Sequence, residues 1–278
     1  MPEGPEVETV RRSLLPRLLG ATLVRPRVSA KKLRTPITKK DLRDVDGAVV
    51  TELFRKGKLL GIRTERGGGV FVRLGMTGRL VVEPKTQPPA LHTHVRFDVC
   101  GPGAASGTEL RFVDPRRFGE VVPFKDEVEC ALELGRMGPD GLALDDDDRA
   151  VVRVRLQATA RAIKDVLLDQ AVVAGVGNIY AAEACFVARL SPHRAGSSLD
   201  DDEARALVSA VESVLQQGVR HRGTSFSDYV DGDGQRGDNA RHLHVFQREG
   251  EPCRACGDVV RRVVQGQRST FYCGRCQR

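Results

Sequence analysis

The sequence predicts an α+β multidomain protein. A β-rich N-terminal part is led by one helix, the middle is helical, and the C-terminus is a metal-bound β-hairpin. Three observations predict this. Up to about residue 125, short apolar stretches are broken by Gly and Pro; from about residue 146, apolar residues recur at helical spacing; and four of the last cysteines form two CxxC pairs. A length of 278 residues suits two domains and a small appendage.

Val7, Val10, Leu14 and Leu18 are three and four residues apart, which predicts an amphipathic helix over 5–19 with Pro5 in its first turn. Short stretches such as Val70–Val72, Leu80–Val82, Val95–Val99 and Leu110–Val113 read as strands, and their number argues for a sandwich or barrel. Helices are expected from Ala150 to Leu168, Asn178 to Ala188 and Glu203 to Gln217, the last ended by Gly218. The acidic runs 145–148 and 200–203 precede helices, where carboxylates cap and favour the positive helix end. Gly175 and Gly177 permit tight turns, and Asn178 is placed to cap the helix that follows; a helix N-terminus suits a phosphate. Domain boundaries are expected to give parts 1–128, 129–240 and 241–278, with no internal repeat.

Apolar residues make up 40% of the chain, too many for disorder, and no apolar run approaches the ~20 residues that cross a bilayer. The opening residues are acidic and lack the apolar core of a secretion signal. These points exclude a membrane-spanning helix, collagen and coiled-coil rods. The net charge is +7, and the stretch from Arg241 to Arg278 holds eight Arg, no Lys and three acidic residues, so most of the excess sits there. Such a block is the footprint of a polyanion binder, although a plain solvated surface gives the same composition.

Seven cysteines in a chain without a secretion signal argue against a disulfide framework. Cys100, Cys130 and Cys185 read as small core residues. Cys253, Cys256, Cys273 and Cys276 form two CxxC pairs around a predicted hairpin that turns at Gln265-Gly266-Gln267. This spacing places four thiolates around one Zn²⁺, and four sulfurs close the site, so the zinc is expected to be structural.

Pro2, Glu3 and Glu6 have a plain explanation as first-turn residues of a helix. Their setting changes the reading. Met1-Pro2-Glu3-Gly4-Pro5-Glu6, Leu74-Gly75-Met76-Thr77-Gly78 and Asp114-Pro115-Arg116-Arg117-Phe118-Gly119 closely resemble segments of the formamidopyrimidine-DNA glycosylases, bacterial enzymes that remove oxidised purines. Leu168-Asp169-Gln170 with the 175–180 turn resembles that family's helix–two-turn–helix, and residues 250–277 its zinc finger. The likeness runs in order through five motifs over nearly the whole chain.

The resemblance implies an N-terminal β-sandwich with an N-terminal helix, a helical helix–two-turn–helix domain and a C-terminal β-hairpin zinc finger. It implies base excision repair by a glycosylase that is also an AP lyase. Removal of Met1 would free the Pro2 amine, which titrates near ~8 as an α-amino group against ~10.4 for Lys. Pro2 would form a Schiff base at the sugar, and β,δ-elimination would follow. Glu3 would relay protons and Glu6 support the site, while Lys58 would assist elimination. Arg268 would grip the lesion phosphate, as would Asn178 from the helical domain. Met76, Arg116 and Phe118 would fill the gap left by the extruded base, whose unstacking costs a few kcal/mol. His92 and Arg73 would contact DNA, and Lys164 would lie near the flipped base. Residues 224–238, with Gly232, Gly234 and Gly237, would form a mobile loop over that base.

The implied partner is double-stranded DNA containing oxidised bases or abasic sites. The protein is expected to act as a monomer, without a membrane, in the bacterial cytoplasm at the nucleoid. Three departures from the family pattern stand out. Arg73 replaces the usual His, the basic run before Lys164 is replaced by Gln157-Ala158-Thr159-Ala160, and Gly4 occurs where purine-specific members commonly carry Leu. Gly4 leaves open the endonuclease VIII-like branch, which prefers oxidised pyrimidines. Arg116 and Phe118 favour the purine branch. A catalytically silent binder of damaged DNA is the third alternative, and a zinc-dependent transcription regulator ranks last for want of a recognition helix.

Overall fold

A computed structural model describes residues 2–103, 105, 107–226 and 229–278. The chain divides into two compact units. The first comprises residues 1–135 with 221–238, and the second residues 136–220 with 239–278. These are units of packing, and each is built from two separate stretches of the chain. The stretch 221–238 packs with the N-terminal unit, and the terminal hairpin shares a core with the helices.

In the first unit, helix α1 spans Gly4–Leu18 and buries Val7, Val10, Leu14 and Leu18 almost completely, as their spacing requires. Eight antiparallel strands follow: β1 Thr22–Val28, β2 Ala48–Lys56, β3 Leu59–Thr64, β4 Gly69–Arg73, β5 Arg79–Pro84, β6 Thr93–Cys100, β7 Thr108–Val113 and β8 Glu120–Phe124. Their hydrogen-bonded order is β5-β7-β6-β1-β2-β3-β4-β8. In the ladder the two halves join where Thr22 and Leu23 meet Val49 and Ala48. Ile62, Val70, Val72 and Val121 from one half enclose an apolar interior with Leu80, Val95, Phe97, Leu110 and Phe112 from the other. With β5 and β8 left as edges of the order, the architecture is a sandwich and not a closed barrel. Helix α2 (Glu127–Gly135) was not expected; Arg63 ties it to β3 through Glu127 and Cys130.

The second unit holds α3 (Asp146–Gln157), α4 (Ile163–Leu167), α5 (Asn178–Val187), α6 (Asp201–Arg220) and the hairpin of β9 (Val260–Gln265) and β10 (Arg268–Cys273). The single helix expected over 150–168 is two. Around Thr159 the backbone turns away from the helical ladder: Gly196 N donates to Arg161 O and Ser197 N to Thr159 O. Gly218 does not end α6 either. It is buried inside that helix, and the chain leaves the helical conformation at Arg222 and Gly223, both with positive φ. The acidic runs do cap: Asp145 Oδ1 accepts from Asp148 N, and Asp200 Oδ1 from Glu203 N. Of the three isolated cysteines, Cys130 and Cys185 are buried, but Cys100 is exposed at the end of β6. Burial pushes the Cys185 thiol up to about 12, so it is chemically quiet. Among the described residues no helix is long and apolar enough to cross a membrane.

Candidate active site

The start of α1 carries the first group of expected residues. Pro2, Glu3 and Glu6 are all buried; Met1 lies outside the described residues. Glu3 is the N-cap, with extended backbone that lets its carbonyl accept from Val7 N at 3.0 Å. Glu6 is held at both oxygens: Oε2 accepts from Glu3 N at 2.8 Å, and Oε1 from Thr224 N at 2.7 Å. The Glu6 carboxylate thus fixes the backbone next to Pro2 and anchors the 221–238 stretch to the same helix turn.

That stretch is tied to the rest of its unit at several further points. Tyr229 Oη donates to the carbonyls of Glu6 and Arg222, Gly232 N donates to Ser13 Oγ, and Val82 N donates to Gly232 O. Asp231, wholly buried, accepts from Asp233 N and Gln235 N and pairs with Arg222. Ser227 and Asp228, within the expected mobile loop, lie outside the described residues.

Lys58 occupies the two-residue turn between β2 and β3, made possible by Gly57 at φ 58°. Arg55 braces this turn from below. Its Nη1 donates to Gly57 O at 3.0 Å and its Nε to Glu8 Oε2 at 3.2 Å. Glu8 also receives both Nε and Nη2 of Arg11 at 2.9 Å and Arg12 Nε at 2.7 Å. Burial by itself would raise the Glu8 carboxyl, yet Arg11, Arg12 and Arg55 outweigh it and hold the group at about 2, below its ordinary 4.5.

Because the folded value is the lower one, this stabilisation is complete above pH 4.5 and is lost as pH falls from 4.5 towards 2. Urea unfolding of the parent is expected to weaken through that window. Glu8→Gln is expected to remove most of this slope and to cost on the order of 2 kcal/mol at neutral pH, after discounting for solvent screening. Equal slopes in the two proteins would contradict the assignment.

Met76, Arg116 and Phe118 sit on two neighbouring loops. Met76 is 40% and Phe118 46% exposed, and the Arg116 guanidinium lies 4.9 Å from the Phe118 ring centroid. Exposed side chains of this size in a folded unit suit a wedge better than a core. His92 is half-buried beside them, its carbonyl accepting from Asp114 N at 2.9 Å. Arg73 is different. Its guanidinium, 39% exposed, pairs with Glu120 and Glu133 and so braces β4 against β8 and α2.

In the second unit, Arg268 is exposed at the first residue of β10, beyond a turn in which Gly266 and Gln267 both have positive φ. Asn178 Nδ2 donates to Ser269 O at 3.0 Å, next to Arg268. Asn178 is not the N-cap of α5; Gly177 is, and Asn178 is the first helical residue. Its Oδ1 is buried and accepts no hydrogen bond among the described residues. Lys164 corrects a second expectation. It is wholly buried, with Nζ 2.8 Å from Thr270 Oγ1 and 3.4 Å from Ser269 O, so it ties α4 to the hairpin and is not accessible to a base.

The four cysteines of the hairpin fit one Zn²⁺. Their sulfurs all lie within 4.8 Å of one another, with Cys253 to Cys276 at 3.9 Å and Cys256 to Cys273 at 3.5 Å. A tetrahedral site with Zn–S near ~2.3 Å has edges of about 3.8 Å. All four ligands are protein sulfurs, so the ion holds the two knuckles together and offers no open position for substrate.

Sequence reasoning missed the residues that act behind these groups. Arg55, Thr77, His94, Asp114 and Tyr229 each bridge two segments, and only contact in three dimensions reveals that.

Comparison with known proteins agrees with this arrangement. Residues 1–121 match the model of the formamidopyrimidine-DNA glycosylase N-terminal domain, residues 137–230 the H2TH domain of the same enzymes, and residues 250–278 a zinc finger found in FPG and IleRS. The formamidopyrimidine-DNA glycosylase of Moorella thermoacetica is 43% identical over 265 residues, covering 95% of this chain and 94% of that one. The crystal structure of the MutM (Fpg) protein from Thermus thermophilus is 38% identical, with a TM-score of 0.85 over 99% of this chain and 98% of that one. A Lactococcus lactis Fpg mutant bound to DNA containing Fapy-dG superimposes with a TM-score of 0.90 at 26% identity, over the full length of both chains. From the buried Pro-Glu start of α1 to the four-cysteine hairpin, the chain belongs to the formamidopyrimidine-DNA glycosylase family.

Proposed function

We propose that this protein is a bifunctional DNA glycosylase and AP lyase that removes oxidised purines from double-stranded DNA. The observation that carries the reading is the N-terminus: a proline whose amine becomes available on loss of Met1, followed by two buried glutamates at the start of one helix. The Pro2 nitrogen attacks C1′ of the damaged nucleotide, and the bond from C1′ to the base breaks with its electrons leaving on the base. Loss of the nitrogen's proton, with opening of the sugar ring, leaves an iminium at C1′. The iminium acidifies the C2′ hydrogen, so a proton leaves C2′ and the C3′–O bond breaks; loss of a C4′ proton then expels the 5′ phosphate.

Glu3, buried beside Pro2, shuttles the protons. Glu6 has both oxygens committed to backbone N–H groups and so holds the geometry. Lys58, on its braced turn, and Arg268 take the phosphates flanking the lesion, with Asn178 orienting the segment that carries Arg268. Met76, Arg116 and Phe118 fill the vacated space, and His92 contacts the backbone beside them. Arg73, 39% exposed beside Glu120 and Glu133, contacts the backbone as well, whereas Lys164 is wholly buried and acts by holding the hairpin. The zinc is structural and takes no part in the chemistry. The protein acts as a monomer in the bacterial cytoplasm, on oxidised bases and abasic sites in the nucleoid.

Gly4, the first residue of α1, supports one second reading, a preference for oxidised pyrimidines. Excision from duplexes carrying 8-oxoguanine opposite cytosine or thymine glycol separates the two. Faster release of 8-oxoguanine is expected, and faster release of thymine glycol would transfer the protein to the pyrimidine branch.

A further inference from the structure

The two loops that carry Met76 and Arg116–Phe118 converge on one buried carboxylate. Asp114 is 0% exposed. Its Oδ1 accepts from Thr77 Oγ1 at 2.5 Å and from Arg116 N at 3.2 Å, and its Oδ2 accepts from Gly119 N at 2.7 Å. Arg116 N also lies 3.2 Å from Thr77 Oγ1. Behind the carboxylate, Asp114 N donates to His92 O, and Asp114 O receives His94 Nε2 at 2.9 Å; the other ring nitrogen of His94 meets Ser29 Oγ. A single side chain is therefore bonded to the immediate neighbours of Met76 and Phe118 and to Arg116 itself.

The backbone in this loop needs such a tether. Arg117 has φ 59°, a left-handed conformation that costs a non-glycine residue on the order of 1–2 kcal/mol. It persists only where the surroundings over-determine it. Here the carboxylate grips the N–H before Arg117 and the N–H of Gly119 after it. The loops also touch directly, since a Cβ on Gly75 would lie 2.6 Å from Gly119 N and from the Phe118 carbonyl carbon. Thr77 is the only side chain of the first loop bonded to Asp114 among the described residues.

We infer that Thr77 and Asp114 are a positioning pair that locks the Met76 loop to the Arg116–Phe118 loop, so that the three exposed side chains enter a duplex as one rigid wedge. The inference rests on the functional reading above. Neither residue touches the reacting atoms; they act through Met76, Arg116 and Phe118. A wedge fixed before binding lowers the ordering cost of extruding a base, and that benefit exists only where there is a stack and an opposite strand to fill.

The test follows from that restriction. Thr77→Val keeps the branched shape and removes the hydroxyl, while Thr77→Ser keeps the hydroxyl. Excision of 8-oxoguanine from a duplex is measured beside borohydride trapping on a single-stranded oligonucleotide with a preformed abasic site, which needs no extrusion. Thr77→Val is expected to slow duplex excision about tenfold or more, to leave single-strand trapping within about twofold, and to be rescued by Thr77→Ser. Equal losses on both substrates would make the pair a general fold element and overturn the inference, and so would unchanged duplex excision. A parent protein that acts on neither substrate would instead overturn the functional reading itself.

Discussion

A preparation that retains Met1 is expected to give no borohydride-trapped complex with damaged DNA, even though it folds and binds zinc. In that form the Pro2 nitrogen is part of a peptide bond, and resonance with the carbonyl removes the lone pair that attack requires. Pro2→Gly with Met1 removed is a subtler probe. It keeps an α-amine of ordinary basicity, but a primary amine gives a neutral imine that must be protonated before it can accept electrons. The secondary amine of proline gives an iminium that is cationic at every pH. Trapping by Pro2→Gly is therefore expected to fall by about tenfold or more relative to the parent. Intact mass establishes the state of the N-terminus, and a denaturing gel reads the trapped complex. Parental trapping with Met1 in place would place the nucleophile elsewhere.

The nucleophile shows how a site can be legible in sequence while its support is not. Pro2, Glu3 and Glu6 are local in the chain, so their motif reads directly, as do the four cysteines with their fixed spacing. Helix α1 was equally legible, because burial of one face imposes a period that its residues must obey, whereas β3, β4 and β7 are buried on both faces and carry no such alternation. Failures occur where a distant segment outbids local preference. The chain breaks at Thr159 because residues 196 and 197 claim the carbonyls of Arg161 and Thr159, and Gly218 remains helical because it is buried in α6. The surroundings of Arg73 and Lys164 were hidden for the same reason. As sequence they are cations in a DNA-binding family; in the fold one meets two carboxylates and the other is enclosed against Thr270. Asp114 reads as part of a motif, but its three acceptor contacts reach residues up to 37 positions away. No local pattern encodes that.

Stripping the zinc is expected to unfold more than the hairpin. Cys253, Val260, Phe271 and Cys273 belong to the same buried cluster as Tyr180, Leu190, Leu215 and Phe246, and the Phe246 and Phe271 rings are 5.1 Å apart. Polar ties run the same way: Gln277 Nε2 donates to Leu190 O, Ser191 N to Arg278 O, and Lys164 Nζ to Thr270 Oγ1. A structural zinc contributes about 10–16 kcal/mol of apparent binding energy, as much as the whole stability of a typical domain of about 5–15 kcal/mol. Chelation, or Cys256→Ser, is thus expected to remove amide protection from α5, α6 and the hairpin together. The strands β2, β3 and β4, whose apolar cluster contains none of the four cysteines, keep theirs. Hydrogen exchange read by mass spectrometry separates the outcomes. Deprotection confined to residues 250–278 would mean that the helical core stands without the finger, and that the bonds from Lys164 and Asn178 to Ser269 and Thr270 are carried by the helices alone. Loss across the unit would mean that the metal holds the frame in which Asn178 and Arg268 are set, so that a zinc with no open position for substrate still decides whether these two residues are in place.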